Sequence, residues 1–496
     1  MVANYLESPH MQNMFPSLPV DCWIAITDFL KPGDIVSVSA VCRDLHLSLR
    51  PLIYNRVSWE WETVPVERIL QLLRTVLQNP KLALLIHHIT IMSPPRNAIL
   101  HDWNEANVKP NSTKDATVGF EEVVGLAQAL VEKVEFPDAS KWNEALGNGN
   151  AYAFIAILLS QLHSLRSLRL DYSFVWKLGF PGLMMKHALF SAPEGLLSRF
   201  THLNIVDYGS NVPIAEEFDG LYNDFDTTAG YPLCDPDQFM AWFYLPAIQS
   251  LSIWLRSFKD VIADYNSQQA NLSQLQTLVL ARTTITDDEV QDLLSQMASL
   301  KMLHLGLAYR WHDEVILEVP DFIIEGLEYV SQTVETLSLG LEYYPYNEGY
   351  YSFDCQDEYS REQFQGFLQK FPRLRSAEVP ITLLAGINTD NIVNVGSFLP
   401  PTLEELCLHW DCEEVLRGLS ESEFYDCVWR LLDDLHPHSP NLKRIIIRQM
   451  VCSPAARANR MKEHAKLQVA YAQAGIELQA VFDYLSPGLW TQEGYM

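Results

Sequence analysis

The sequence predicts an α/β protein: a small bundle of three helices followed by an irregular solenoid with parallel strands. Three observations predict it. A short apolar pattern recurs along most of the chain. Helical patterns lie between its copies. A separate apolar stretch of about forty residues precedes them all, with its own turn signals.

The recurring unit places apolar residues at positions one, four and six. Its copies are Ile86/Ile89/Ile91, Leu165/Leu168/Leu170, Phe200/Leu203/Ile205, Ile248/Leu251/Ile253, Leu275/Leu278/Leu280, Leu300/Leu303/Leu305, Val334/Leu337/Leu339, Leu374/Ala377/Val379, Leu403/Leu406/Leu408 and Leu442/Ile445/Ile447. The last two apolar positions of each unit have the period of two that puts both on one face of a strand. One such strand cannot bury its apolar face alone, whereas stacked parallel strands build a continuous core. Helices are expected between them. One starts at Thr286, with Val290, Leu293, Leu294 and Met297 as its stripe. Others cover Phe120 to Glu135, Glu362 to Phe371, Glu421 to Leu435 and Ala455 to Ala474. Gly475 is read as a helix stop before a last strand. The segment 92–150 is otherwise read as a loop up to Phe120.

Before the first unit, Pro19 is placed at a first helical turn, where its missing N–H costs nothing. Trp23, Ile26, Phe29 and Leu30 then form one face of a helix. Lys31-Pro32-Gly33 ends it. Asp34 is read as the N-cap of a second helix carrying Ile35, Val38 and Val41. Cys42, Leu45 and Leu49 belong to a third, ended by Pro51. A unit this small sits near the lower limit of independent folding and is expected to complete its core against a partner.

These residues resemble an F-box, in order, spacing and position. Leu18-Pro19, Ile26, Leu30, Asp34, Ile35, Val38, Val41, Cys42 and Arg43 carry the resemblance. Leu45 stands where the family often has Trp, which removes an aromatic contact and keeps the burial. The resemblance covers about a tenth of the chain. With the repeats, whose Thr-Asp helix start at Thr286 is similar to that of F-box leucine-rich repeats, the chain looks like a fungal-type F-box protein with a leucine-rich-repeat-like region. The resemblance implies docking to a Skp-type adaptor on a cullin scaffold through Leu18, Pro19, Ile26, Leu30, Ile35, Val38, Val41, Cys42 and Arg43. It implies a non-catalytic receptor subunit of a ubiquitin ligase that captures a protein substrate through its repeats. The alternatives are an F-box scaffold acting outside ubiquitination and a small-ligand-responsive receptor. The expected division is a tail (1–14), the F-box (15–60), a linking segment with the first strand (61–160) and the solenoid (161–490).

Composition narrows the partner. The 496 residues hold 35 Lys+Arg against 62 Asp+Glu, a net charge of −27. Such a surface repels nucleic-acid backbones and anionic lipid heads and attracts basic proteins. The eight cysteines form no CxxC pair, which suits a reducing compartment. No signal-like start is present, and the longest apolar run, Ala151 to Leu159, falls far short of the roughly 20 residues that span a bilayer. A cytoplasmic or nuclear protein is expected, with neither nucleic acid nor membrane as partner.

Aromatic residues crowd just after the strands: Tyr172, Trp176, Tyr208, Trp254, Tyr309, Trp311, Tyr343, Tyr344 and Trp410. Interface hot spots are enriched in Trp and Tyr, so these are the candidate substrate contacts. Two acidic, aromatic segments, 207–237 and 342–360, are expected on the same edge and suit a basic peptide. Arg169, Arg256, Arg282, Arg444 and Arg448 are the candidates for a small anionic ligand. No phosphate-binding loop, dinucleotide fingerprint or nucleophile elbow occurs. Cys407-x-His409-x-x-Cys412 has metal-binding residue types but no fourth ligand at standard spacing, so no metal, cofactor or catalytic residue is expected.

Overall fold

In the computed structural model, the described residues are 18–27, 29–30, 32–61, 63–93, 119–176, 179–211, 235–255, 270, 272–283, 285–310, 320–344, 366–385, 395–409, 421–450 and 454–483. They form an α/β fold around one sheet of twelve strands, all parallel and arranged in chain order. The strands are β1 (Arg56–Glu60), β2 (His88–Met92), β3 (Ser167–Leu170), β4 (Ile205–Tyr208), β5 (Ser250–Ile253), β6 (Thr277–Thr283), β7 (Met302–Arg310), β8 (Thr336–Tyr344), β9 (Ser376–Pro380), β10 (Glu405–His409), β11 (Arg444–Met450) and β12 (Glu477–Asp483). A parallel sheet built in sequence order, with helical connections, is solenoid-like.

The apolar pattern sets the register. Leu168 pairs with Ile89, Leu251 with Leu278, Leu303 with Leu337 and Leu406 with Ile445. Every one of these side chains is buried in a single continuous core. A second ladder locks the units just ahead of the strands. Gln249 O accepts from the N–H groups of Gln276 and Thr277, Gln276 O from Lys301 and Met302, and Lys301 O from Glu335 and Thr336. The same pattern runs on to Lys443 O, which accepts from Glu477 N.

Two units differ from the sequence reading. The strand β1 was missed because its inward residues, Val57 and Trp59, lack the leucine signature; they pair with Ile89 and Ile91. In the third unit the frame moves by three residues. Leu168 and Leu170 face Val206 and Tyr208, so the unit is Leu203/Val206/Tyr208, and Ile205 turns outward at 44% exposure. The sequence pattern favours Phe200 and Ile205 because both are apolar. The actual frame is favoured by Tyr208, whose ring packs tilted against Trp242 at 4.5 Å and whose hydroxyl donates to Gln238 Oε1 at 2.7 Å.

The predicted helices appear at Phe120–Lys133, Asp287–Leu294, Glu421–His438 and Pro454–Gln473. Thr286 caps its helix through a reciprocal box with Glu289, and Val290, Leu293, Leu294 and Met297 are buried as the stripe requires. Of the segment from Glu362 to Phe371 only its end is described, as a 3-10 turn over Phe367–Lys370. One further helix, Ala139–Gly147, follows Phe120–Lys133 among the described residues of this segment. Gly475 has φ +80° after the helix Pro454–Gln473, the left-handed stop expected of it.

Three short helices precede the sheet: α1 (Val20–Thr27), α2 (Pro32–Ser39) and α3 (Arg43–Asn55), the last running directly into β1. Their core is small and separate: Trp23, Leu45 and Leu49 are buried, with Leu18, Ile35, Val38, Leu52 and Ile53 packed against them. Three details depart from expectation. The second helix starts at Pro32, so Asp34 lies in its first turn, where its charge favours the helix dipole, and is not the cap. Pro51 does not end the third helix; it sits inside it, costing one backbone hydrogen bond that the packing of Leu49, Leu52 and Ile53 offsets. α1 stops at Thr27, so its apolar face does not extend to Phe29.

Candidate functional site

Two surfaces carry chemistry. The first is the outside of the three-helix unit. Trp23 supplies the aromatic of its small core, and Leu45 is buried beside it where the resemblance leads one to look for Trp. Half of the exposed large apolar side chains among the described residues lie here: Ile24, Ile26, Phe29, Val36, Val41 and Leu47, with Phe29 91% and Val41 74% exposed. Of the candidate docking residues, Pro19, Ile26, Val41, Cys42 and Arg43 are exposed. Leu30 is half-buried, and Leu18, Ile35 and Val38 lean on the small core. Ile24, Phe29, Val36 and Leu47 are surface residues that the sequence reading does not single out as such. Only the early end of α1 at Thr27 turns Phe29 outward, whereas the Lys31-Pro32-Gly33 breaker places that end after Leu30.

The second surface is the face of the sheet opposite the leucines. The middle outward residue of each strand falls in one lateral row: Ser58, Thr90, Arg169, Asp207, Ser252, Val279, His304, Ser338, Glu378, Cys407, Ile446 and Gln479, each in register with the next. Arg169 and Asp207 form an ion pair at 3.3 Å. Burial pushes the Asp207 carboxyl up, and Arg169 and Ser210 oppose it.

The row is most connected from β7 to β11. His304 Nδ1 meets Ser338 Oγ at 2.8 Å, and Ser338 Oγ donates to Glu378 Oε2 at 3.3 Å. Glu378 Oε1 takes Arg448 at 2.9 Å and His409 Nε2 at 2.5 Å. Burial favours the neutral acid of Glu378, but His409, Arg448 and His304 together outweigh it and bring it down to about 2. Burial lowers His304 to about 3, so its imidazole is neutral at pH 7. Burial, then the nearby Glu378 charge, raises the Cys407 thiol well above its ordinary value. A Cys–His–Glu trio suggests nucleophilic catalysis, but a thiol kept protonated is a poor nucleophile.

Three of the expected rim aromatics do not lie on the surface. Tyr172, Tyr208 and Trp254 are buried, at 5%, 0% and 3% exposure. Tyr208 is the third inward position of its unit, and Tyr172 and Trp254 fold down from the strand ends into the core. All three are core residues and not the surface contacts that the sequence leads one to expect. Tyr309, Tyr343 and Tyr344 lie within β7 and β8, which are longer than the motif indicates, and Tyr309 pairs with Tyr343. Trp176 ends the short helix Ser173–Trp176. Trp311 and Trp410 lie outside the described residues, as do 212–234 and 345–365, most of the two acidic segments. Three of the candidate anion-binding arginines are already paired with carboxylates: Arg169 with Asp207, Arg444 with Glu405 at 3.0 Å, and Arg448 with Glu378.

The four described cysteines, Cys22, Cys42, Cys407 and Cys427, are free thiols. No helix among the described residues is long and apolar enough to cross a membrane. No protein-family model matches the chain, and no curated protein matches it.

Proposed function

We propose that the chain is a substrate-receptor subunit of a Skp–cullin–F-box ubiquitin ligase, working in the cytoplasm or nucleus. Its three-helix unit is an F-box that docks on a Skp-type adaptor, and its leucine-rich-repeat-like sheet carries the protein substrate. The observation that carries this reading is the concentration of exposed apolar residues on α1, α2 and the turns beside them. A free surface with Phe29, Val41, Ile26 and Val36 outward is costly in water and pays back when covered. The F-box resemblance falls on the same stretch. The chain itself supplies no chemistry in this role; holding a substrate beside a charged conjugating enzyme raises its effective concentration. The excess of acidic residues favours a basic substrate. The small-anion receptor is the weaker alternative, because Arg169, Arg444 and Arg448 are engaged internally.

Co-purification of the full chain with a recombinant Skp-type adaptor tests the reading. Phe29→Ala/Val41→Ala should weaken the complex by about tenfold or more, the scale of interface hot spots, and leave thermal unfolding unchanged. Absence of binding by the parent chain, or equal binding by the variant, overturns it. Adaptor binding without cullin in the same preparation would transfer the role to a scaffold outside ubiquitination.

A further inference from the structure

Glu378, Cys407 and His409 meet on the polar face of the sheet. Glu378 pairs with Cys407 across β9 and β10, and His409 lies two residues further along the same strand and face. A carboxylate oxygen, the thiol sulfur and an imidazole nitrogen lie within 4.8 Å of one another. Cys407 is 5% and His409 1% exposed. His409 engages Glu378 through Nε2, and its Nδ1 is buried without a hydrogen-bond partner. A buried ring nitrogen without a partner is unfavourable, and a group of this kind in a folded protein calls for an explanation. Sulfur, imidazole and carboxylate together are the donor set of borderline divalent ions.

We infer that Glu378, Cys407 and His409 bind one divalent transition-metal ion, of which zinc fits best. Tetrahedral zinc wants ligand atoms roughly 3.3–3.8 Å apart, so the cluster closes by side-chain adjustments of about 1 Å. Ser338 holds the Glu378 carboxylate from one side and is itself held by His304, the kind of outer support that orients ligands. Three protein ligands leave a fourth position for water. Arg448 opposes the ion, since its guanidinium lies 2.9 Å from Glu378 Oε1. A carboxylate has about four lone-pair positions, enough to serve both. Uptake replaces the Cys407 thiol proton, so the site releases a proton on loading and weakens as pH falls.

Sequence spacing could not reveal this site. Cys407 and His409 provide only two ligands on one strand. The third comes from a residue 31 positions before His409, brought alongside by the parallel register.

Metal-stripped full-length protein titrated with Co²⁺, followed by Zn²⁺ competition, tests the inference. The parent should take one equivalent of Co²⁺ with a thiolate charge-transfer band, and Zn²⁺ should displace it. Cys407→Ser should abolish the band, and Glu378→Gln should weaken binding by about tenfold or more. Arg448→Gln keeps all three ligands, removes the opposing charge and should bind more tightly. No Co²⁺ band in the parent overturns the inference. So does a band that survives Cys407→Ser, because it belongs to other thiols such as the exposed Cys22 and Cys42. Should Cys407→Ser fail to fold, Arg448→Gln decides: tighter binding supports the site, and unchanged or weaker binding overturns it.

Discussion

The three-helix unit and the sheet use apolar residues in opposite ways. The unit buries Trp23, Leu45 and Leu49 completely enough to hold its shape and leaves Phe29, Val41, Val36 and Leu47 outside. The sheet and its helices bury leucine after leucine in one core and, among the described residues, expose few large apolar groups. A solenoid stabilises itself by stacking, each unit covering the next. A forty-residue bundle has too little interior to hide everything apolar it carries. In the sheet, apolar residues hold the fold together. In the three-helix unit, several stay exposed.

Substitutions should separate the two regions by what they damage. Leu303→Ala empties a site that is fully buried between Leu278 and Leu337 and should cost about 2–5 kcal/mol in denaturant unfolding. An exposed counterpart such as Val41→Ala should cost almost nothing in the same measurement while weakening adaptor binding. A large stability loss at Val41 would break the comparison.

Acid should act on the sheet and the helices packed on it. Burial lowers His464, which bonds to Gln449 Oε1 at 3.0 Å, to about 4, and lowers His304 to about 3. In the unfolded chain both protonate near pH 6.5, while in the fold they stay neutral. The unfolded state therefore binds more protons, and stability falls as pH drops from about 6.5 toward 4. For His464 the shift corresponds to about 3 kcal/mol across that window. His464→Gln should flatten the pH dependence of the melting temperature between pH 6.5 and 4; an unchanged slope would show that this imidazole is not held neutral.

The smallest expected effect is local. Thr286→Ala removes the capping box at Asp287–Leu294 and should cost about 1 kcal/mol, read by thermal unfolding. Adaptor binding should not change, because the helix belongs to the sheet and not to α1–α3. A change in binding would mean that the two regions are coupled.

Several of the helical connections and eleven of the twelve strands, one of them out of frame, were legible in the sequence, because their cause is local. A period of two in apolar residues makes a strand with one buried face, and Leu303/Leu305 or Ile445/Ile447 need no distant partner to say so. Thr286 with Glu289 marks a helix start, and Gly475 a stop, by the same short-range chemistry. Where that signal weakens, as at Val57/Trp59 and at Val206/Tyr208, the strand was missed or its frame slipped. The tertiary structure alone decided which aromatics are reachable. Tyr208 and Trp254 look like surface anchors until neighbouring units cover them, and Phe29 looks like core until α1 ends two residues earlier. It alone decided that Glu378, Cys407 and His409 share one place. Parallel pairing joins residues that the chain separates by whole repeats, and the apolar pattern that sets the register says nothing about which polar side chains it will bring together.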